Sequence, residues 1–340
     1  MSVLTVGIDV SQDKLDVAII NKSQDKPTDL GTFSNANKGH KKLLKQLKNI
    51  IKKHELEKIR VVIEPSGGYE QPIARFALDH EWTVNMVNPF KVRKWAESEG
   101  IRAKTDRMDA RLLANFAIAK GTLPQWQPQE EHIAQLDEML KRKEELQQSL
   151  LREKNRLNAL LLKLKFEGSA LASIKRSIEW IQDEIRRLEN DINNHIGKHT
   201  DLKEQVKKLK KTPGVGDKNS LYFLVLFHRW TSLTQGLGSA KQLTSYVGLD
   251  PVPRSSGSSI KCHEAISRKG NPSLRKMLYL GALGAVYGTT KGPLRTFFNR
   301  LVSRGKHKKL ALIACARKIL IWAWTTFHKN TSFDPLKFTS

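Results

Sequence analysis

Three short apolar runs fall within the first 33 residues, and they constrain the fold more than any other feature of the chain. Leu4-Thr5-Val6-Gly7-Ile8-Asp9-Val10 has the composition of a buried strand. Leu15 to Ile20 reads as a second strand and Leu30-Gly31-Thr32-Phe33 as a third, with polar turns between them. Strands so close in sequence pair antiparallel, because a parallel crossover needs a dozen or more residues. A helix is predicted over 38–53, burying Leu43, Leu44, Leu47, Ile50 and Ile51. Arg60-Val61-Val62-Ile63-Glu64 is a strand ending in a carboxylate, followed by the turn Pro65-Ser66-Gly67-Gly68 and a helix over 69–80. Thr83 to Val87 is a fifth strand, closed by Asn88-Pro89. This order predicts a mixed sheet with helices on its faces, and ligand sites in such sheets lie beyond the strand ends.

Asp9 lies near the end of the first strand and Glu64 ends the fourth. Farther on, Lys104-Thr105-Asp106-Arg107-Met108-Asp109-Ala110-Arg111 runs into the helix-like segment Leu112 to Phe116. Asp106 and Asp109 are three apart, so on a helix their carboxylates share a face. A cation between them would relieve their repulsion, and hard cations such as Mg²⁺ or Mn²⁺ take oxygen ligands of this kind. Asp9, Glu64, Asp106 and Asp109 converging on one point would suit two divalent ions gripping a phosphodiester. Lys104, Arg107 and Arg111 make the surroundings attractive to phosphate. The other reading is a solvated helix start whose acids complement the helix dipole, with Asp9 and Glu64 capping turns.

Lys and Arg number 59 against 34 acids, a formal charge of +25 over 340 residues. That excess points to a polyanion, nucleic acid before a membrane surface. No run of about 18 apolar residues is apparent, no basic and apolar leader opens the chain, and Cys262 and Cys315 form no CxxC pair. A cytoplasmic protein without a membrane partner or a disulfide framework is expected.

Pro124-Gln125-Trp126-Gln127-Pro128 breaks the chain, and a charged helical run follows over 130–166. After Gly168-Ser169, the residues Leu171, Ile174, Ile178, Ile181, Ile185, Leu188 and Ile192 alternate spacings of three and four. That is a heptad seam. It fits an internal helical hairpin or a dimerisation arm. Thr212-Pro213-Gly214-Val215-Gly216 resembles a helix-hairpin-helix turn before an apolar helix over 220–227, and Lys241 to Val247 is a further helix closed by Gly248. Pro251 to Lys261 reads as a loop with four serines between Arg254 and Lys261, able to hold a phosphate or to supply a nucleophilic hydroxyl. Arg268 and Lys269 precede Asn271-Pro272, a helix start carrying Arg275. Two more helices follow over 293–303 and 309–327, the latter placing Trp322 and Trp324 in a core.

Gly7-Ile8-Asp9-Val10-Ser11, Ile63-Glu64-Pro65-Ser66-Gly67 and the Lys104 to Arg111 motif resemble the DEDD transposases of a bacterial insertion-sequence family. Those recombinases are guided by a bridge RNA and are related to an invertase of pilin genes. The likeness continues through Gly248-Leu249-Asp250-Pro251 and Ser256-Gly257-Ser258-Ser259. It implies an RNase H-like (RuvC-like) α/β domain over 1–125, a coiled-coil spacer over 126–205 and a mainly α-helical transposase domain over 206–340. It also implies Mg²⁺ held by Asp9, Glu64, Asp106 and Asp109, and a nucleophile at Ser256 that links covalently to DNA. The implied partners are donor and target DNA, a non-coding bridge RNA, and further copies of the chain in a dimer or tetramer. The competing functions are a resolvase-like nuclease that uses metal-activated water and a non-catalytic nucleic-acid scaffold.

Overall fold

The computed structural model describes residues 2–21, 26–101, 106–163, 168–252, 255–256, 260–261, 265–289 and 292–335. The chain divides into two compact units, Met1–Pro128 with Ser232–Gln235, and Gln129–Thr231 with Gly236–Ser340.

The first unit contains β1 (Val3–Val10), β2 (Lys14–Ile20), β3 (Thr28–Ser34), α1 (Asn37–His54), β4 (Lys58–Ile63), α2 (Gln71–Asp79), β5 (Thr83–Met86), α3 (Pro89–Ser98) and α4 (Asp106–Lys120). The sheet order is β3-β2-β1-β4-β5. β1 is antiparallel to β2 and parallel to β4, β2 is antiparallel to β3, and β4 is parallel to β5. The strand order in sequence thus produces the expected mixed sheet. Asn88-Pro89 does more than end β5. The Asn88 side chain accepts from the Phe90 N–H and Pro89 occupies the first turn of α3, so the pair also starts a helix that the sequence pattern does not announce.

Strand alternation gives the sheet two faces. Leu4, Val6, Ile8 and Val10 of β1 and Ile59, Val61 and Ile63 of β4 pack in one cluster with Leu43 and Leu47 of α1 and Ile73 of α2. Val62, from the opposite face of β4, packs in another cluster with Val92 of α3 and Leu113, Phe116 and Ala117 of α4.

In the second unit α5 (Glu131–Lys163) and α6 (Ser169–Lys198) pack on each other. The α6 seam supplies Leu171, Ile178, Ile181 and Ile192 as buried residues. α7 (Thr200–Lys210), α8 (Asp217–Thr234) and α9 (Ala240–Val247) follow. Two short ladders come next, β6 (Pro251–Val252) with β9 (Ala265–Ile266), and β7 (Ser255–Ser256) with β8 (Ile260–Lys261). α10 (Pro272–Tyr287), α11 (Pro293–Ser303) and α12 (Lys308–His328) complete the unit. Its core joins Phe223 and Phe227 of α8 to Leu320, Trp322 and Trp324 of α12, and takes in Ile133, Leu136 and Leu140 of α5. Both tryptophans are core residues, as the sequence pattern suggests. Among the described residues α12 is long and apolar enough, by length and composition, to cross a bilayer, although Arg317 and Lys318 interrupt its apolar run. Its apolarity has a local explanation, since Ala311, Leu312, Cys315, Ala316, Ile319, Leu320 and Ala323 are buried within the unit.

Candidate active site

Register fixes the first part of the site. Gly7 lies opposite Val62 and Ile8 opposite Ile63 in the parallel β1–β4 pair. Asp9 and Glu64 occupy the next step, at neighbouring strand ends. Asp9 shares a sheet face with Gly7, two residues before it. That face is covered by α4 at very short range, because a β-carbon on Gly7 would stand 2.1 Å from the Ala110 carbonyl oxygen and 2.7 Å from the Ala114 nitrogen. At the other end of the strands, Arg60 Nη1 donates to the Ala117 carbonyl at 3.4 Å. The helix therefore descends from the Asp9–Glu64 level toward the strand starts, and its first turn lies at the carboxylate end. Asp109 is half-buried there, as are Asp9 and Glu64. Asp106 and Arg107 open α4, although their side chains lie outside the described residues; Lys104 lies outside them entirely. The donors brought to this end are all carboxylate oxygens, the type that hard divalent cations take. Among the described residues, no three acidic, histidine or cysteine groups form a ready ion cage.

The row of acids extends one strand farther than the sequence motifs indicate. Asp9 is paired directly with Asp16 of β2, and Asp16 with Thr32 of β3. Asp16 is 5% exposed. Its carboxylate accepts from the Thr32 hydroxyl at 2.5 Å and faces the Lys14 ammonium at 3.4 Å. The signal for it was present in the alternation of the second strand, but only the register shows which residue it opposes.

Two side chains tie the loops beyond the strand ends together. Asn35 donates to the Ser11 carbonyl at 3.0 Å and to the Tyr69 carbonyl at 2.9 Å, joining the turn after Asp9 to the segment after Glu64. Its amide oxygen can only accept, so His40 approaches it with a protonated Nε2 at 3.0 Å. Burial pushes the His40 pKa down, disfavouring the charged ring. Glu70 closes the Ser66–Gly68 turn by accepting from the Ser66 and Gly68 N–H groups, each at 2.9 Å. Burial pushes its carboxyl up, but these bonds and one from Gln71 outweigh that and hold it below the usual carboxylate range.

Ser256 lies in the second unit, its backbone paired with Ile260 in the β7–β8 ladder. The root of this segment is a tight backbone crossing. A β-carbon on Gly270 would lie 2.3 Å from the Tyr246 carbonyl oxygen, and one on Gly248 would lie 2.8 Å from the Gly270 nitrogen. Arg268, at φ 57°, donates its N–H to the Gly248 carbonyl at 3.2 Å, and Ser267 N–H donates to the Asp250 carbonyl at 3.0 Å. Of the basic residues singled out in the sequence, Arg111 makes a two-pronged pair with Asp29 at 2.5 and 2.6 Å. Arg275 donates to the carbonyls of Gly270 at 2.5 Å and Val247 at 3.2 Å, bracing the same crossing. Lys269 lies within that crossing and Lys261 in β8, whereas Arg254 is outside the described residues.

Two family models and several curated relatives match this chain. A transposase family model, the DEDD domain of IS110 type, matches residues 6–166, and that of the transposase IS116/IS110/IS902 family matches residues 206–299. The pilin gene-inverting proteins of Moraxella lacunata and Moraxella bovis are each 30% identical over 334 residues, covering 98% of both chains. An IS110 protein of 43.6 kDa from Streptomyces coelicolor is 32% identical over 162 residues, 48% of this chain and 37% of its own. The solved complex of T. thermophilus RuvC with a Holliday junction substrate matches 36% of this chain and 99% of its own at 13% identity and a TM-score of 0.27, too slight a likeness to argue from. Identity of 30% to the inverting proteins over 98% of the chain, together with both domain matches, makes this chain a member of the IS110 family of transposases, enzymes that act on DNA.

Proposed function

We propose that the chain cuts and rejoins DNA strands at a composite site, formed by the acids of the first unit and Ser256 of the second. The observation that carries this reading is the placement of Asp9 and Glu64 at adjacent parallel strand ends, beside the start of the α4 helix that bears Asp109. The sheet order, three antiparallel strands and then two parallel ones, supports an RNase H-like, RuvC-like reading of residues 1–125. Residues 126–205 then act as the spacer and 206–340 as the serine-bearing transposase domain.

Asp9, Glu64, Asp106 and Asp109 would hold Mg²⁺ or Mn²⁺, which supplies positive charge to the oxygens of a phosphodiester under attack. Ser256 Oγ loses its proton and bonds to phosphorus, the P–O3′ bond breaks, and the 3′ oxygen takes a proton. The downstream strand stays on the serine through its 5′ phosphate, as a phosphodiester. An incoming 3′ hydroxyl reverses the displacement, frees Ser256 and joins the strands. Bond energy is conserved through the serine link, so no nucleotide cofactor is needed.

A non-coding bridge RNA pairing with donor and target DNA fits the motif resemblance and the +25 charge, which suits backbone contact with several nucleic-acid strands. A dimer or tetramer lets acids of one copy serve the serine of another. Such a protein works in the bacterial cytoplasm.

The test is covalent trapping. Full-length protein is incubated with Mg²⁺, labelled donor and target duplexes, and RNA transcribed from the DNA flanking the gene. A protein–DNA band resisting denaturation is expected, absent in Ser256→Ala and kept in Ser255→Ala. Full-rate cleavage by Ser256→Ala would favour a water-using nuclease. Unchanged recombination in both Asp9→Asn and Glu64→Gln would favour a non-catalytic scaffold.

A further inference from the structure

We infer that Asp16 is a positioning residue of the acid site, whose fixed negative charge beside Asp9 raises the affinity of the site for a divalent cation. The inference rests on the metal-binding reading proposed above.

Three facts carry it. Asp16 is the cross-strand partner of Asp9, on the same sheet face. Directly opposed residues in an antiparallel pair have β-carbons about 4.5–5.5 Å apart, and like charges there repel. Asp16 is also 5% exposed, so its charge is largely withdrawn from water. Finally, Thr32, its partner on the far side, donates a hydrogen bond to it at 2.5 Å and so holds the carboxylate in place. The Lys14 ammonium offsets the charge from 3.4 Å, but its side chain is 49% exposed and screened by solvent.

A purely structural link between β2 and β3 does not require this chemistry. Asparagine would also accept from Thr32, through a weaker neutral bond, and without the repulsion from Asp9 or the cost of burying a charge. The negative charge has a use if a cation binds along the row. Repulsion between Asp9 and Asp16 then raises the energy of the empty site, and binding relieves it. Asp16 can do this without a direct bond to the ion, its oxygens being engaged by Thr32 and Lys14.

The experiment measures Mn²⁺ binding to the full-length protein without nucleic acid, by titration calorimetry and by the electron paramagnetic resonance signal of free Mn²⁺. The binding lost in Asp9→Asn defines the site. Asp16→Asn is expected to weaken that binding five- to tenfold while leaving the metal-free melting temperature unchanged or higher. Asp16→Glu restores the charge and recovers most of the affinity. Thr32→Val keeps the charge and lowers the melting temperature, with affinity within about twofold of wild type. If Asp16→Asn binds Mn²⁺ as tightly as wild type, and melts lower as Thr32→Val does, Asp16 is structural and the inference fails while the metal reading stands. If the wild type shows no binding that Asp9→Asn removes, both fail.

Discussion

Gly7 and Ala110 are in backbone contact: a β-carbon on Gly7 would stand 2.1 Å from the Ala110 carbonyl oxygen. Neither partner is a flexible side chain, so no rotamer change relieves the clash. Gly7→Ala is predicted to push α4 off the sheet, at a cost of about 3 kcal/mol. Because Asp109 rides on the displaced helix, DNA cleavage should fall by more than the stability loss explains. Urea unfolding and cleavage assays under conditions where the variant is fully folded separate the two effects. Wild-type stability in Gly7→Ala would mean that α4 has room to shift.

Much of this arrangement was legible in the sequence because the sheet obeys period-two alternation. Leu4, Val6 and Ile8 mark one face, which leaves Gly7 and Asp9 on the other. The motif residues Asp9 and Glu64 could be placed at strand ends for the same reason. Asp16 could not be singled out, since a lone aspartate in a strand looks like an outward polar residue until its cross-strand partner is known. Asn35 escaped notice because its two acceptors, Ser11 and Tyr69, are 24 and 34 residues away. The helix α3 was hidden by Asn88-Pro89, a pair that ends a strand and caps a helix equally well. Around Ser256, two prolines and a serine–glycine cluster read as a plain loop, and the glycine crossing that roots it follows from backbone approach that composition does not encode.

Glu70 gives the site loop a pH dependence. Its folded-state pKa is depressed, with burial opposing and the Ser66, Gly68 and Gln71 bonds prevailing. A carboxyl of this kind stabilises the fold fully above its unfolded pKa of about 4.3, and the contribution is lost as pH falls through the lower folded value. Glu70→Gln removes the charge-assisted part of these bonds, so it should cost about 1 kcal/mol at pH 7. The difference from wild type should shrink steadily below about pH 4. Denaturant melts from pH 7 to 3 measure this directly; a gap that widens toward acid would contradict the sign of the shift.

Gly270 plays the corresponding part in the second unit. Its ideal β-carbon falls 2.3 Å from the Tyr246 carbonyl oxygen and 2.4 Å from the Val247 carbonyl carbon. Gly270→Ala must separate the end of α9 from the strand that returns from the serine ladders, at a cost of about 2 kcal/mol. The proposed covalent serine–DNA link is predicted to drop more than tenfold in this variant. Mn²⁺ binding should be unchanged, because the acids belong to the other unit. A link formed at the wild-type rate would show that the crossing does not position Ser256.

Lys143 and Glu189 pair across the α5–α6 hairpin and are predicted to help set its register. The Lys143 ammonium is buried, its side chain 8% exposed, and it meets the Glu189 carboxylate at 2.9 Å. Removing one partner should hurt more than removing both. Glu189→Ala leaves a buried ammonium without this partner; partial exposure of Glu189, at 39%, moderates the effect to about 2 kcal/mol. Lys143→Met with Glu189→Leu replaces the pair by apolar groups of similar length and should restore wild-type stability or exceed it, because no desolvated charge remains. The remaining heptad residues then hold the helices together but no longer choose among slipped registers as strictly. Thermal melts of the two single variants and the double variant give the coupling energy. A disulfide placed across α5 and α6 in the observed register tests the rest, since it should close more slowly in the double variant although that variant is the more stable protein.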